Sequence, residues 1–118
     1  MQPVITEAAG KAVDLPVPGG FVALSRFTIA NGMEAEVLQA FRGRPHQVDG
    51  SPGFVRMEVL VPVDAPEEIW LFTWWSDEAS YRTWHHGHEY RDAHRGIPRG
   101  LKLVPGSASV RGFAHVSS

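Results

Sequence analysis

Residues 54–75 read Phe-Val-Arg-Met-Glu-Val-Leu-Val-Pro-Val-Asp-Ala-Pro-Glu-Glu-Ile-Trp-Leu-Phe-Thr-Trp-Trp. Both ends of this stretch are dense in β-branched and aromatic residues, and its middle is broken by Pro62, Asp64 and Pro66. That pattern predicts two strands, Phe54 to Val63 and Glu68 to Trp75, joined as an antiparallel hairpin. Both strands carry apolar residues on two faces, so burial on both sides is expected. Immediately upstream, Asp49-Gly50-Ser51-Pro52-Gly53 is a strong turn signal.

Outward from the hairpin the pattern is nearly symmetric. Before it, Phe21 to Ile29 reads as a first strand closed by Asn31-Gly32, with Phe21, Ala23, Ser25 and Phe27 on one face and Val22, Leu24, Arg26 and Thr28 on the other. Asn31 followed by Glu34 reads as a capping box, and Met33, Val37, Leu38 and Phe41 form an apolar stripe at helical spacing. After the hairpin, Asp77 caps a second helix running to about His86 and stopping at Gly87, and a short third helix spans His88 to Arg95. Gly96 to Gly106 reads as a long mobile loop, and Ala108 to Val116 alternates as a last strand, with Ala108, Val110, Gly112, Ala114 and Val116 on one face. The order βαββαβ predicts an α+β, ferredoxin-like antiparallel sheet with helices on one face. The uncovered apolar face, the one carrying Val22, Leu24, Arg26 and Thr28, is expected to be closed by a second copy, giving a homodimer built as a dimeric α/β barrel.

A chain of 118 residues suits one domain. Residues 1–20, rich in Ala, Gly, Val and Pro, are expected to be a flexible N-terminal arm, and 21–118 the folded domain. No cysteine is present, which excludes disulfide frameworks, thiolate metal sites and thiol nucleophiles. A net charge of -2 speaks against a nucleic-acid partner. The absence of a long apolar run or a signal-like start predicts a cytoplasmic chain with no membrane partner. Beyond Arg82, however, Arg91, Arg95, Arg99, Lys102 and Arg111 outweigh Glu89 and Asp92, a local attraction for anions.

Three features can carry chemistry. The first is the group Trp74, Trp75 and Trp84; such rings, Trp70 included, are most often core or interface anchors. The second is the group His85, His86, His88 and His94. Imidazoles three apart on a helix share a face, but Gly87 interrupts the run and no carboxylate completes a ligand set, so His85 and His86 are expected to face solvent at a helix end. The third is Ser25, a polar residue on the helix-side face of the first strand. Tyr81 and Trp84, three apart, should project together from the opposite wall.

Taken together, Ser51-Pro-Gly-Phe-Val, Trp75 with Tyr81 and Trp84 downstream, and Asp92-Ala-His94-Arg-Gly resemble the antibiotic biosynthesis monooxygenase superfamily, and within it the haem-degrading branch. The similarity covers about Phe21 to Val116, and the Trp84-to-His94 spacing matches members of that branch without a gap. The resemblance implies that the chain binds haem, which serves as both substrate and cofactor. It implies His94 as the axial iron ligand, Trp84 pressing the macrocycle out of plane, and a distal donor on the first strand. There the family has asparagine and this sequence has Ser25, a shorter donor. Tyr81, Arg91, Arg95 and Arg99 are the further candidates for holding the cofactor, the arginines through its propionates. O2 and an external electron donor, such as a reductase, complete the expected reaction. Two other readings stay open: a cofactor-independent monooxygenase acting on a polyketide or quinol-type aromatic, and a non-enzymatic dimer that binds haem or another hydrophobic small-molecule ligand.

Overall fold

The computed structural model describes residues 20–43, 47–87 and 97–117. The expected arm before residue 20 and the expected third helix, with His88, Arg91, His94 and Arg95, lie outside the described residues. The elements in chain order are β1 (Phe21–Thr28), α1 (Glu34–Arg42), a 3-10 turn (Gln47–Gly50), β2 (Phe54–Leu60), β3 (Glu68–Trp75), α2 (Glu78–His85) and β4 (Ser109–Ala114). The four strands form one antiparallel sheet in the order β2-β3-β1-β4, the ferredoxin-like arrangement expected from the sequence.

β1 lies at the centre because its alternation satisfies two neighbours. It pairs with β3 from Phe21↔Trp75 to Thr28↔Glu68, and with β4 from Phe21↔Ala114 to Arg26↔Ser109. The face of Ala23 meets the helices and the core falls into two clusters along it. Ala23, Val48, Trp75 and Tyr81 are buried beneath α2, with Phe21, Phe54, Met57 and Trp84 packed around them. Ile29, Val37 and Ile69 are buried beneath α1, with Met33, Leu38 and Phe41 of the expected apolar stripe against them. Trp75 and Ile69, at 1% and 0% exposure, anchor the two clusters.

Several local expectations are corrected. β2 stops at Leu60 rather than Val63, because the proline at 62 cannot donate to a ladder and its carbonyl instead accepts from Ala65 N at 3.2 Å. β2 is also not buried on two sides within one chain, since Leu60 is 51% exposed. A bulge between Phe54 and Arg56 shifts its register, so Phe54 pairs with Trp75 while Arg56 pairs with Trp74 and Met57 with Thr73. That extra residue turns Arg56 to the outer face and keeps both Phe54 and Met57 in the core. The last strand is Ser109–Ala114, shorter than Ala108 to Val116.

Asn31 does not form a capping box. Its Nδ2 donates to Gly100 O at 2.8 Å and its Oδ1 accepts from Lys102 N at 3.4 Å, so the side chain is committed across the chain; the N-cap of α1 is Met33, which makes no side-chain cap bond. The same contacts show that the segment expected to be a mobile loop is tied down. Ala30 N donates to Lys102 O and Val104 N to Thr28 O, both at 2.8 Å, and Ile29 bridges Leu103. The Leu101–Ser107 segment thus extends the sheet past the end of β1.

Candidate active site

α2 is a well-started helix. Asp77 at its N-cap accepts a hydrogen bond from Ser80 N at 2.7 Å, and this bond holds its carboxyl below the usual carboxylate range. One turn on, Arg82 Nε donates to Glu78 at 2.7 Å, an exposed pair that contributes little to stability. Glu78, Tyr81, Arg82, His85 and His86 recur at helical spacing, so they share the face that overlooks β1 and β4.

Between that face and the sheet is a cleft of about 600 Å³. Its sheet side consists of Phe21 and Ala23 from β1 with Val110, Gly112 and Ala114 from β4. Three of these five are Ala or Gly, so the cleft is open where large side chains would fill it. Its volume and largely apolar floor suit a small aromatic or macrocyclic ligand. Tyr81 forms the hub of the helix wall. It is 7% exposed, and its ring meets Phe21 at 5.3 Å, Trp75 at 5.8 Å, Trp84 at 6.4 Å and His85 at 5.4 Å.

The residues singled out in the sequence are thereby sorted. Tyr81 lines the cleft. Ser25 is half-buried on the helix-side face, as its alternation requires, between Leu71 of β3 and the cleft residue Val110 of β4. It stands two residues along β1 from Ala23, a spacing of about 7 Å. Trp84 is next to Tyr81, as expected, but its ring packs against Trp75 at 5.6 Å in the core and is not part of the cleft's described lining. Arg99 is exposed and adjoins Gly100, whose carbonyl is bound by Asn31; it is therefore beyond the far end of β1, away from Phe21 and Ala23. His94, Arg91 and Arg95 lie outside the described residues.

His85 and His86, expected to face solvent at a helix end, also line the cleft, with ring centroids 5.4 Å apart; His86 is exposed as expected and His85 is half-buried. The signal for this in the sequence is the helical spacing of His85 from Tyr81 and of His86 from Arg82. Among the described residues no group of three or more His, Cys, Asp or Glu side chains could hold a metal ion.

The opposite face of the sheet has its own pattern. Trp70, Phe72 and Trp74 stack along β3 with centroids 6.4 and 5.7 Å apart. Arginines cover the rings: Arg26 over Trp70 at 4.9 Å, Arg56 over Trp74 at 4.4 Å and Arg111 over Phe113 at 5.5 Å. Among the described residues no helix is long and apolar enough to cross a membrane.

Comparison with known proteins places this architecture. Residues 20–96 match the family model described as antibiotic biosynthesis monooxygenase. The chain is 29% identical over 66 residues to a mycobilin-producing haem oxygenase of Mycobacterium tuberculosis, an alignment covering 56% of this chain and 63% of that relative's length. Among solved structures, the haem-degrader MhuD from Mycobacterium tuberculosis, with two haems bound in its active site, aligns with a TM-score of 0.68 and 26% identity over 83% of this chain and 97% of that one. SnoaB, a cofactor-independent oxygenase from Streptomyces nogalater, aligns with a TM-score of 0.67 and 20% identity over 85% and 96%.

Proposed function

Because the chain belongs to the antibiotic biosynthesis monooxygenase family, we propose that it is a haem-degrading monooxygenase and that haem enters the cleft between α2 and the β1–β4 edge. The observation that carries this reading is the cleft itself: a slot of about 600 Å³ with an apolar floor, aromatic wall and imidazoles at its side, in a fold shared with a haem-degrader. The residues present fit the group. A flat apolar disc needs a floor without projecting side chains, and Ala23, Gly112 and Ala114 supply it; an iron needs a nitrogen donor, and histidines are available on and after α2.

When bound, haem would supply both the iron that activates O2 and the ring that is opened, with electrons from an external donor such as a reductase. The chain's part is to bind, orient and exclude water. His94, nine residues beyond the end of α2 at His85, would supply the nitrogen that holds the iron, and Arg91 and Arg95 would hold the propionates. Arg99, remote from the cleft, is the weakest member of that set. Tyr81 on the helix wall and Phe21 on the sheet side would exclude water from the cleft. The Ser25 hydroxyl, beside Val110, is the proposed hydrogen-bond donor toward the reacting oxygen. Trp84 braces Tyr81 and Trp75, so its influence on the ring's shape would pass through the position of α2 and Tyr81. The proposal includes a homodimer closed through the aromatic and arginine-capped face of β3 and β1.

The test is spectroscopic. His94→Ala should abolish or shift the Soret band of the haemin complex, while His85→Ala and His86→Ala change it little; an unchanged band in the His94 variant refutes that assignment. The placement of His85 and His86 in the cleft favours a second reading, cofactor-independent oxidation of a phenolic or quinol-type substrate, with an imidazole taking the hydroxyl proton. Oxygen uptake with a hydroquinone in haem-free protein, lost in His85→Ala, would favour that reading.

A further inference from the structure

Phe21 is paired with Ala114, yet its ring leans diagonally along β4 and lies over Gly112. A Cβ built on Gly112 would meet Phe21 Cζ at 2.6 Å and Cε1 at 2.9 Å. Carbon atoms pack at about 3.5–4.0 Å, so the glycine provides room that no other residue could. Gly112 is not among the glycines with positive φ, so it is space and not backbone freedom that this position requires. On its other side the same ring meets Tyr81 at 5.3 Å with 34° between planes. Phe21, Gly112 and Tyr81 all line the cleft.

We propose that Phe21, recessed onto Gly112, sets the depth of the α2–β4 cleft and so determines the largest aromatic ligand it admits. The inference rests on the cleft being the binding site. An aromatic ring across a glycine also stabilises an edge strand, and strand support alone would explain the contact. What points further is that the ring itself lines the cleft, beside Ala23, Gly112 and Ala114, which are too small to set its depth. A methyl group at 112 would block the recess, and the ring would have to lift by about 1 Å off the strand, pressing on Tyr81 and narrowing the cleft that both rings line. Removing the ring would deepen the same space.

The experiment compares wild type, Gly112→Ala, Phe21→Ala and the double variant, with circular dichroism to verify the fold. Two large probes, haemin and 8-anilinonaphthalene-1-sulfonate, are set against a small one, 2-naphthol. Gly112→Ala should weaken both large probes about tenfold and leave 2-naphthol within about twofold. Adding Phe21→Ala to it should restore the large probes. Phe21→Ala alone should bind the large probes at least as well as wild type and 2-naphthol several-fold more weakly. Equal losses for large and small probes, or no restoration in the double variant, overturn the proposal and leave the contact to strand support. A wild type that binds the sulfonate but no haemin refutes the haem reading, while the remaining two probes still decide this one. A wild type that binds none of the three overturns both.

Discussion

Gly53→Ala should be among the most damaging single-methyl changes in this chain. Gly53 sits in the turn before β2 at φ +82°, and its carbonyl accepts from Ser76 N at 2.8 Å. A Cβ there would overlap Ser80 Cβ and Oγ of α2 and come within 2.9 Å of Ser76 Oγ. The left-handed conformation costs a non-glycine residue about 1–2 kcal/mol, and overpacking against Ser80 about 1–3 kcal/mol. Reduced freedom of the unfolded chain offsets about 0.4–1 kcal/mol, which leaves a net loss near 3 kcal/mol. With an unfolding entropy of about 0.25 kcal/mol/K for a chain of this length, Tm should fall by about 12 °C. The assay is urea and thermal unfolding followed by circular dichroism. Ser80→Gly removes the obstructing atoms, so the double variant should show a favourable coupling of about 1–2 kcal/mol despite the helix cost of the new glycine. A Tm within about 2 °C of wild type in Gly53→Ala, or strict additivity with Ser80→Gly, would refute the account of how the turn seats α2 and with it the cleft wall.

Three further outcomes are expected. Asp77→Ala should lower Tm at neutral pH; because the folded carboxyl titrates below its ordinary value, its contribution is present above the ordinary carboxylate pKa and lost as pH falls through the depressed one, so the variant should show a shallower acid limb in a pH series of melts. Phe72→Glu places a carboxylate between Trp70 and Trp74, opposite Glu58 in register; if the wild type sediments as the proposed dimer, the variant should sediment as a monomer with the Tyr81 and Trp75 core retained by near-ultraviolet dichroism. In protein that degrades haem, Ser25→Asn should speed loss of the Soret band and Ser25→Ala slow it in single-turnover decay, whereas equal rates would remove Ser25 from the chemistry.

The sheet was legible because its strands alternate over long enough runs: β3 was bounded at Glu68 and Trp75 from sequence, and the face shared by Phe21, Ala23, Ser25 and Phe27 follows from a period of two. What failed was decided by contacts far apart in the chain. Asn31 looks like a helix cap locally, but carbonyl and amide groups at 100 and 102 compete for its side chain and win. The same pairing orders a Gly- and Pro-rich segment that composition alone marks as loose. At the site, Tyr81 was legible from its turn of helix. Trp84, on the same face in projection, is drawn into the core by Trp75, a neighbour that only the tertiary fold supplies. The cleft contribution of Gly112 is invisible in sequence, since it depends on a ring two residues off its strand partner.

The most direct test of the central claim is to load the purified protein with one equivalent of haemin, add ascorbate in air and follow the Soret region. The account predicts a band that forms stoichiometrically, decays under reductant and oxygen with release of iron to a chelator, and persists under nitrogen. A protein that forms no band, or whose band stays intact in air with reductant, would contradict it.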